Sequence, residues 1–76
     1  MKQKLQKEPL VEIAGQNRVL VENHMGVLAY SLEKIQIKVV YGKLVVSGMQ
    51  LHLLQLCGEQ LVITGNIRSV ELVGRE

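Results

Sequence analysis

A chain of 76 residues holds one small domain; folding at this size buries only about 60% of the unfolded surface, so stability needs help from disulfides, metals or self-association. Cys57 is the single cysteine, which excludes an intrachain disulfide and fits a reducing compartment. The net charge of +2 does not describe the body of the chain: with Lys2, Lys4 and Lys7 set aside, six basic residues stand against seven glutamates, which argues against a basic nucleic-acid-binding domain.

Residues 1–8 are polar, lysine-rich and without periodicity, and they read as a flexible leader. Pro9 closes that segment, because it disfavours helix in the residue before it, and residues 9–76 read as one domain. No apolar run approaches the roughly 20 residues that span a bilayer. The opening MKQKLQKEP has charge but lacks the apolar stretch of a secretory signal. The expectation is a cytoplasmic protein.

The elements follow in order. Leu10–Ala14 reads as a short first strand, closed by Gly15-Gln16-Asn17. Arg18–Glu22 and Val27–Tyr30 flank Asn23-His24-Met25-Gly26, which reads as a hairpin turn because Asn and Gly tolerate positive φ. Lys34–Tyr41 is the clearest strand: Ile35, Ile37, Val39 and Tyr41 alternate with Lys34, Gln36 and Lys38, and a period of two separates a core face from a solvent face. Gly42-Lys43 turns into Leu44–Ser47, Gly48 bends the chain, and Met49–Leu56 follows. That last stretch lacks β-branching and would suit a short helix by propensity, but the corner glycines on either side favour strand. Gly58-Glu59 turns into Leu61–Thr64, Gly65-Asn66 bends again, and Ile67–Val73 finishes.

Leu44-Val45-Val46-Ser47-Gly48 and Leu61-Val62-Ile63-Thr64-Gly65 repeat one phrase, with Val11–Gly15 as a looser third copy. Each is a strand that runs into a corner best made by Gly, so positive φ is expected at Gly42 and Gly48. The pattern predicts an all-β domain, a small sandwich or barrel of about seven or eight short, mostly antiparallel strands. The alternative is a short β-solenoid. The expected core is Val19, Val21, Ile35, Ile37, Val39, Leu44, Val46, Leu61 and Ile63. The core is aliphatic, since the chain has no Phe or Trp. Leu20, Val40, Val45, Leu54 and Val62 fall opposite these core positions and, with Tyr41, form the expected self-association surface.

Candidate chemistry is sparse. His24, His52 and Cys57 lack the paired spacing of a zinc site, and no metal or cofactor is expected. His24 reads as a turn residue whose ring bonds backbone. His52 and Cys57 are five apart, which on a strand puts them on opposite faces and argues against a catalytic dyad. The glutamates are dispersed, there is no Asp, and no glycine falls in a phosphate-binding loop. No catalytic residue is expected. Stacking of nucleic-acid bases would need exposed aromatics on a basic face, and there are only two tyrosines.

The phrase Val21-Glu22-Asn23-His24-Met25-Gly26, followed by Ile35-Gln36-Ile37, Gly42–Gly48 and Leu61–Ile67, resembles the YabP/YqfC-like sporulation proteins of endospore-forming bacteria, and more closely the YqfC branch. The resemblance runs from about Leu10 to Val73. Glu22, Asn23, His24 and Gly26 carry its most specific motif. It implies a non-enzymatic structural or interaction protein of the mother cell, assembling with itself and with a sporulation-specific membrane protein, cytoplasmic or held at a membrane through that partner. No family active site is carried over. A small β-barrel module binding nucleic acid or a ligand is the alternative.

Overall fold

The computed structural model describes residues 8–55 and 58–74, so the lysine leader, Leu56 and Cys57 lie outside the described residues. Six strands are present: β1 (Leu10–Ala14), β2 (Arg18–Glu22), β3 (Gly26–Tyr30), β4 (Lys34–Val39), β5 (Gly42–Gln55) and β6 (Gln60–Gly74). They form one antiparallel sheet in the order β1-β2-β6-β5-β4-β3, with no helix among the described residues. The all-β expectation holds, and the ladder is antiparallel throughout, unlike a solenoid.

The count is six rather than seven or eight, because two expected corners fall inside strands. β5 continues through Gly48 and β6 through Gly65, and together they make one long hairpin from Gly42↔Gly74 to Gln55↔Leu61. Its register slips between Ser47 and Gly48 and again between Met49 and His52, and slips of this kind bend a strand pair without ending it. The bend needs glycine for two different reasons. A Cβ on Gly48 would overlap the backbone of Asn66, and Gly48 does not adopt the positive φ expected of it. Gly65 combines φ of +132° with a carbonyl, that of Gln50, 2.5 Å from where a Cβ would sit. Gly42 has the expected positive φ, 144°.

The bend folds the sheet on itself. One half-sheet contains β1, β2, residues 60–64 of β6 and residues 52–55 of β5. The other contains β3, β4, residues 42–47 of β5 and residues 69–74 of β6. The halves are related by an internal pseudo-two-fold. Val19↔Ile63 and Val21↔Leu61 in the first correspond to Ile35↔Val46 and Ile37↔Leu44 in the second. Each outer hairpin also fastens its turn to a bend. Gly65 N and Ile67 N donate to the carbonyls of Asn17 and Gln16, while Gly48 N and Leu51 N donate to those of Glu33 and Leu32. The seventeen-residue repeat is thus the sequence trace of two half-sheets, and the Val11 copy has no matching role.

All nine expected core residues are buried, joined by Leu51 in one cluster that both half-sheets share. Tyr30, half exposed, links the two half-sheets at the surface, its hydroxyl accepting a hydrogen bond from Leu53 N at 3.2 Å. β1 and β3 remain edges, so the sheet is an open sandwich and not a closed barrel. Two further expectations are corrected. β2 and β3 do not pair, so Asn23–Gly26 is a crossover between opposite ends of the sheet and not a hairpin turn. β4 ends at Val39, and Val40 and Tyr41 form the turn into β5.

Candidate interaction surfaces

Every residue of the Glu22-Asn23-His24-x-Gly26 motif serves the crossover. The Glu22 carboxylate accepts from Gln60 Nε2 at 2.8 Å. Asn23 takes φ of 67°, a region Asn enters more readily than most residues. Its side-chain amide donates to the Glu8 carbonyl at 2.9 Å and its backbone N–H to Glu59 O at 3.0 Å. Met25 N then reaches Lys38 O at 2.7 Å on the other half-sheet. The ring of His24 accepts the Gly26 N–H at Nδ1, 3.0 Å away, as its reading as a backbone-bonding turn residue anticipates. That bond requires the tautomer with the proton on Nε2, and Nε2 is buried without a hydrogen-bond partner. The motif residues hold the chain path between the two halves; their arrangement offers no pair of groups for catalysis.

Each half-sheet has an outer face, and the two differ in chemistry. On the first, the ladder aligns Glu12, Leu20, Val62 and Leu54 in one row. Ala14, Arg18, Thr64 and His52 lie on one side of it and Leu10, Glu22 and Gln60 on the other. Val62 is buried between its two leucine neighbours, whereas Leu54 is 55% exposed. The charged groups of this face are Glu12, Glu22 and Arg18.

On the second, Ala29, Gln36, Val45 and Glu71 share a row, flanked by Lys38, Lys43 and Val73 on one side and Lys34, Ser47 and Ser69 on the other. Arg68 borders the same surface beside Lys34 and Ser47. Lys43 Nζ donates to Gln36 Oε1 at 3.1 Å. Leu28, the bulged residue of β3, meets Lys38, Lys43 and Val73 around a shallow apolar concavity of about 450 Å³. Among the described residues, four of the five lysines and arginines therefore lie on this one half. The near-neutral composition hides that segregation. Lys34 and Lys38 were legible as one face of β4, but Lys43 and Arg68 join them only through the ladder.

The six residues of the expected association surface do not form one patch. Leu20, Val62 and Leu54 line the first outer face, Val45 lies on the second, and Val40 and Tyr41 occupy the β4–β5 turn. The Tyr41 phenol is raised above its ordinary 10.0, chiefly by its hydrogen bond to the Glu8 carboxylate, with partial desolvation and the carboxylate charge adding. His52 lies exposed on the first face, away from His24 in the crossover. No group of three or more metal-ligating side chains occurs among the described residues, and no helix among them is long and apolar enough to cross a membrane.

A family model described as the YabP family matches residues 6–76. No curated protein and no solved structure matches the chain.

Proposed function

The chain belongs to the YabP family, and on that premise we propose that it is a non-enzymatic interaction protein of endospore formation, assembling in the mother cell with itself and with a sporulation-specific membrane protein. Family membership suggests a sporulation-related protein; the assembly role is our reading of the surface. The observation that carries it is the folded sheet, whose two outer faces each keep apolar residues at the surface, Leu54 on one and Val73 on the other. The Glu22-Asn23-His24-x-Gly26 motif supports a place nearer the YqfC branch. In this reading the protein stays cytoplasmic and reaches the membrane through its partner. The test is twofold. Deleting the gene should lower heat-resistant spore counts, and purified protein should sediment faster as its concentration rises. Normal sporulation together with a concentration-independent monomer would remove the reading.

The basic outer face favours a second reading, a nucleic-acid-binding module. Lys34, Lys38, Lys43 and Arg68 supply the charge such a face needs, but neither tyrosine lies in its rows: Tyr30 pairs with core residue Ile35 on the other side of the sheet and Tyr41 sits in a turn. Base stacking has no platform there. A mobility-shift assay with single-stranded and duplex oligonucleotides at low salt decides between the readings.

A further inference from the structure

The two outer faces are opposite in charge and alike in carrying apolar residues. Building on the self-assembly reading above, we infer that copies of this chain stack head to tail, the basic face of one copy against the acidic, leucine-lined face of the next. The first face presents Glu12 and Glu22 against one cation, Arg18, around Leu20, Val62 and Leu54. The second presents Lys34, Lys38, Lys43 and Arg68 against one carboxylate, Glu71, around Val45, Val73 and Leu28. Juxtaposing them brings lysines to carboxylates and the leucines of the first face to Val45, Val73 and Leu28 of the second.

The alternatives on this molecule are poorer. A two-fold dimer through the basic face would set Lys34 and Lys38 against their own copies, and like charges across an interface are costly. Edge pairing through β3 meets the bulge at Leu28, a feature that interrupts a ladder and turns an edge away from pairing. β1 carries Glu12 in its middle and follows Pro9, two further protections of an edge.

Geometry decides what such stacking makes. The two faces lie on opposite sides of the shared core, so a contact between unlike faces leaves a free face at each end and propagates instead of closing. Four strands at about 4.8 Å and five residues at about 3.3 Å give each face roughly 19 by 17 Å. That footprint, about 320 Å² per partner, is below the roughly 800 Å² per partner of a stable specific interface. Each contact is therefore weak, assembly grows with concentration, and it loosens with salt because its charges sit near solvent.

The experiment is sedimentation velocity over a wide concentration range, at low and at physiological salt. It compares wild type, Lys34→Glu/Lys38→Glu, Glu12→Lys/Leu54→Lys, and an equimolar mixture of the two variants. All four substituted side chains are exposed, and circular dichroism confirms that each variant folds. The wild type should pass beyond a dimer as concentration rises, each variant alone should remain monomeric, and the mixture should regain assembly because the reversed faces again match. A wild type that stops at a dimer indifferent to both variants would overturn stacking and leave self-assembly standing. A wild type monomeric throughout would remove both. Failure of the mixture to regain mass would reject charge matching between the faces. Monomers that instead bind phosphatidylglycerol vesicles, and lose that binding in Lys34→Glu/Lys38→Glu, would reassign the basic face to a lipid surface and overturn the inference.

Discussion

Gly48 lies so close to the backbone of Asn66 that no side-chain carbon fits between them. The contact stands where β5 and β6 slip register and the sheet turns over on itself. The two half-sheets meet around one core only because this bend is sharp, so a residue with no special φ still requires glycine. Gly48→Ala should cost about 1–3 kcal/mol, the usual range for forcing atoms into a filled space, and Gly48→Val should cost more. A urea midpoint unchanged by Gly48→Ala would show that the Asn66 backbone yields freely.

Ile37 has no exposed surface and joins the shared cluster beside Leu44. Ile37→Ala should lower stability by about 2–5 kcal/mol, the cost of truncating a fully buried aliphatic side chain. Equilibrium unfolding measures it. A loss well below that range would mean the half-sheets close over the cavity.

The crossover gives a separable pair of outcomes at Asn23. Asn23→Gly keeps the positive φ and loses the side-chain bond to the Glu8 carbonyl; Asn23→Ala loses the bond and strains the backbone as well. Alanine should therefore be the worse of the two, by roughly 1 kcal/mol, the order of a residue's cost for left-handed backbone. His24→Ala should cost a further hydrogen bond, about 1 kcal/mol, offset in part because the unpartnered Nε2 leaves with the ring. Equal stability of Asn23→Gly and Asn23→Ala would place the value of this residue in its side-chain bond alone.

Much of this fold was legible in the sequence because alternation identifies a core face without knowing which strands meet. Ile35, Ile37 and Val39 declare theirs against Lys34, Gln36 and Lys38, and the matched phrases ending in Gly48 and Gly65 mark both bends. What alternation does not encode is partnership. Asn23-His24-Met25-Gly26 has the residues of a tight turn and the length of one, and only the docking of β2 on β6 and β4 on β5 shows that it crosses between halves. The same gap hid the charge segregation. Lys43 and Arg68 are far apart in the chain and share a surface only once β4, β5 and β6 are in register.

Tyr41 offers a local probe of how the segment before β1 docks on the β4–β5 turn. Its phenol donates to the Glu8 carboxylate, which favours the neutral ring and raises its pKa above 10.0. A raised folded-state value means that the contact is fully present below pH 10 and is lost as pH climbs through the folded pKa. Carbon-13 NMR of the Tyr41 ring should show a titration midpoint above 10.0, and Glu8→Gln should move that midpoint back toward it. Identical midpoints in the two proteins would separate Glu8 from Tyr41 in solution.

The first outer face predicts a contrast between two neighbours in one row. Val62 and Leu54 are cross-strand partners, yet Val62 is 4% exposed and Leu54 is 55% exposed. A lysine at position 54 can extend into water with its stem along the row, so Leu54→Lys should change stability by less than about 0.5 kcal/mol, as surface substitutions do. A lysine at position 62 must either bury its ammonium between Leu20 and Leu54 or push them apart, and an unpaired buried charge is among the costliest changes a small domain can take. Val62→Lys should therefore unfold at markedly lower urea than Leu54→Lys. Were both tolerated equally, the leucines would not be covering Val62, and the row would be an open apolar strip along its whole length.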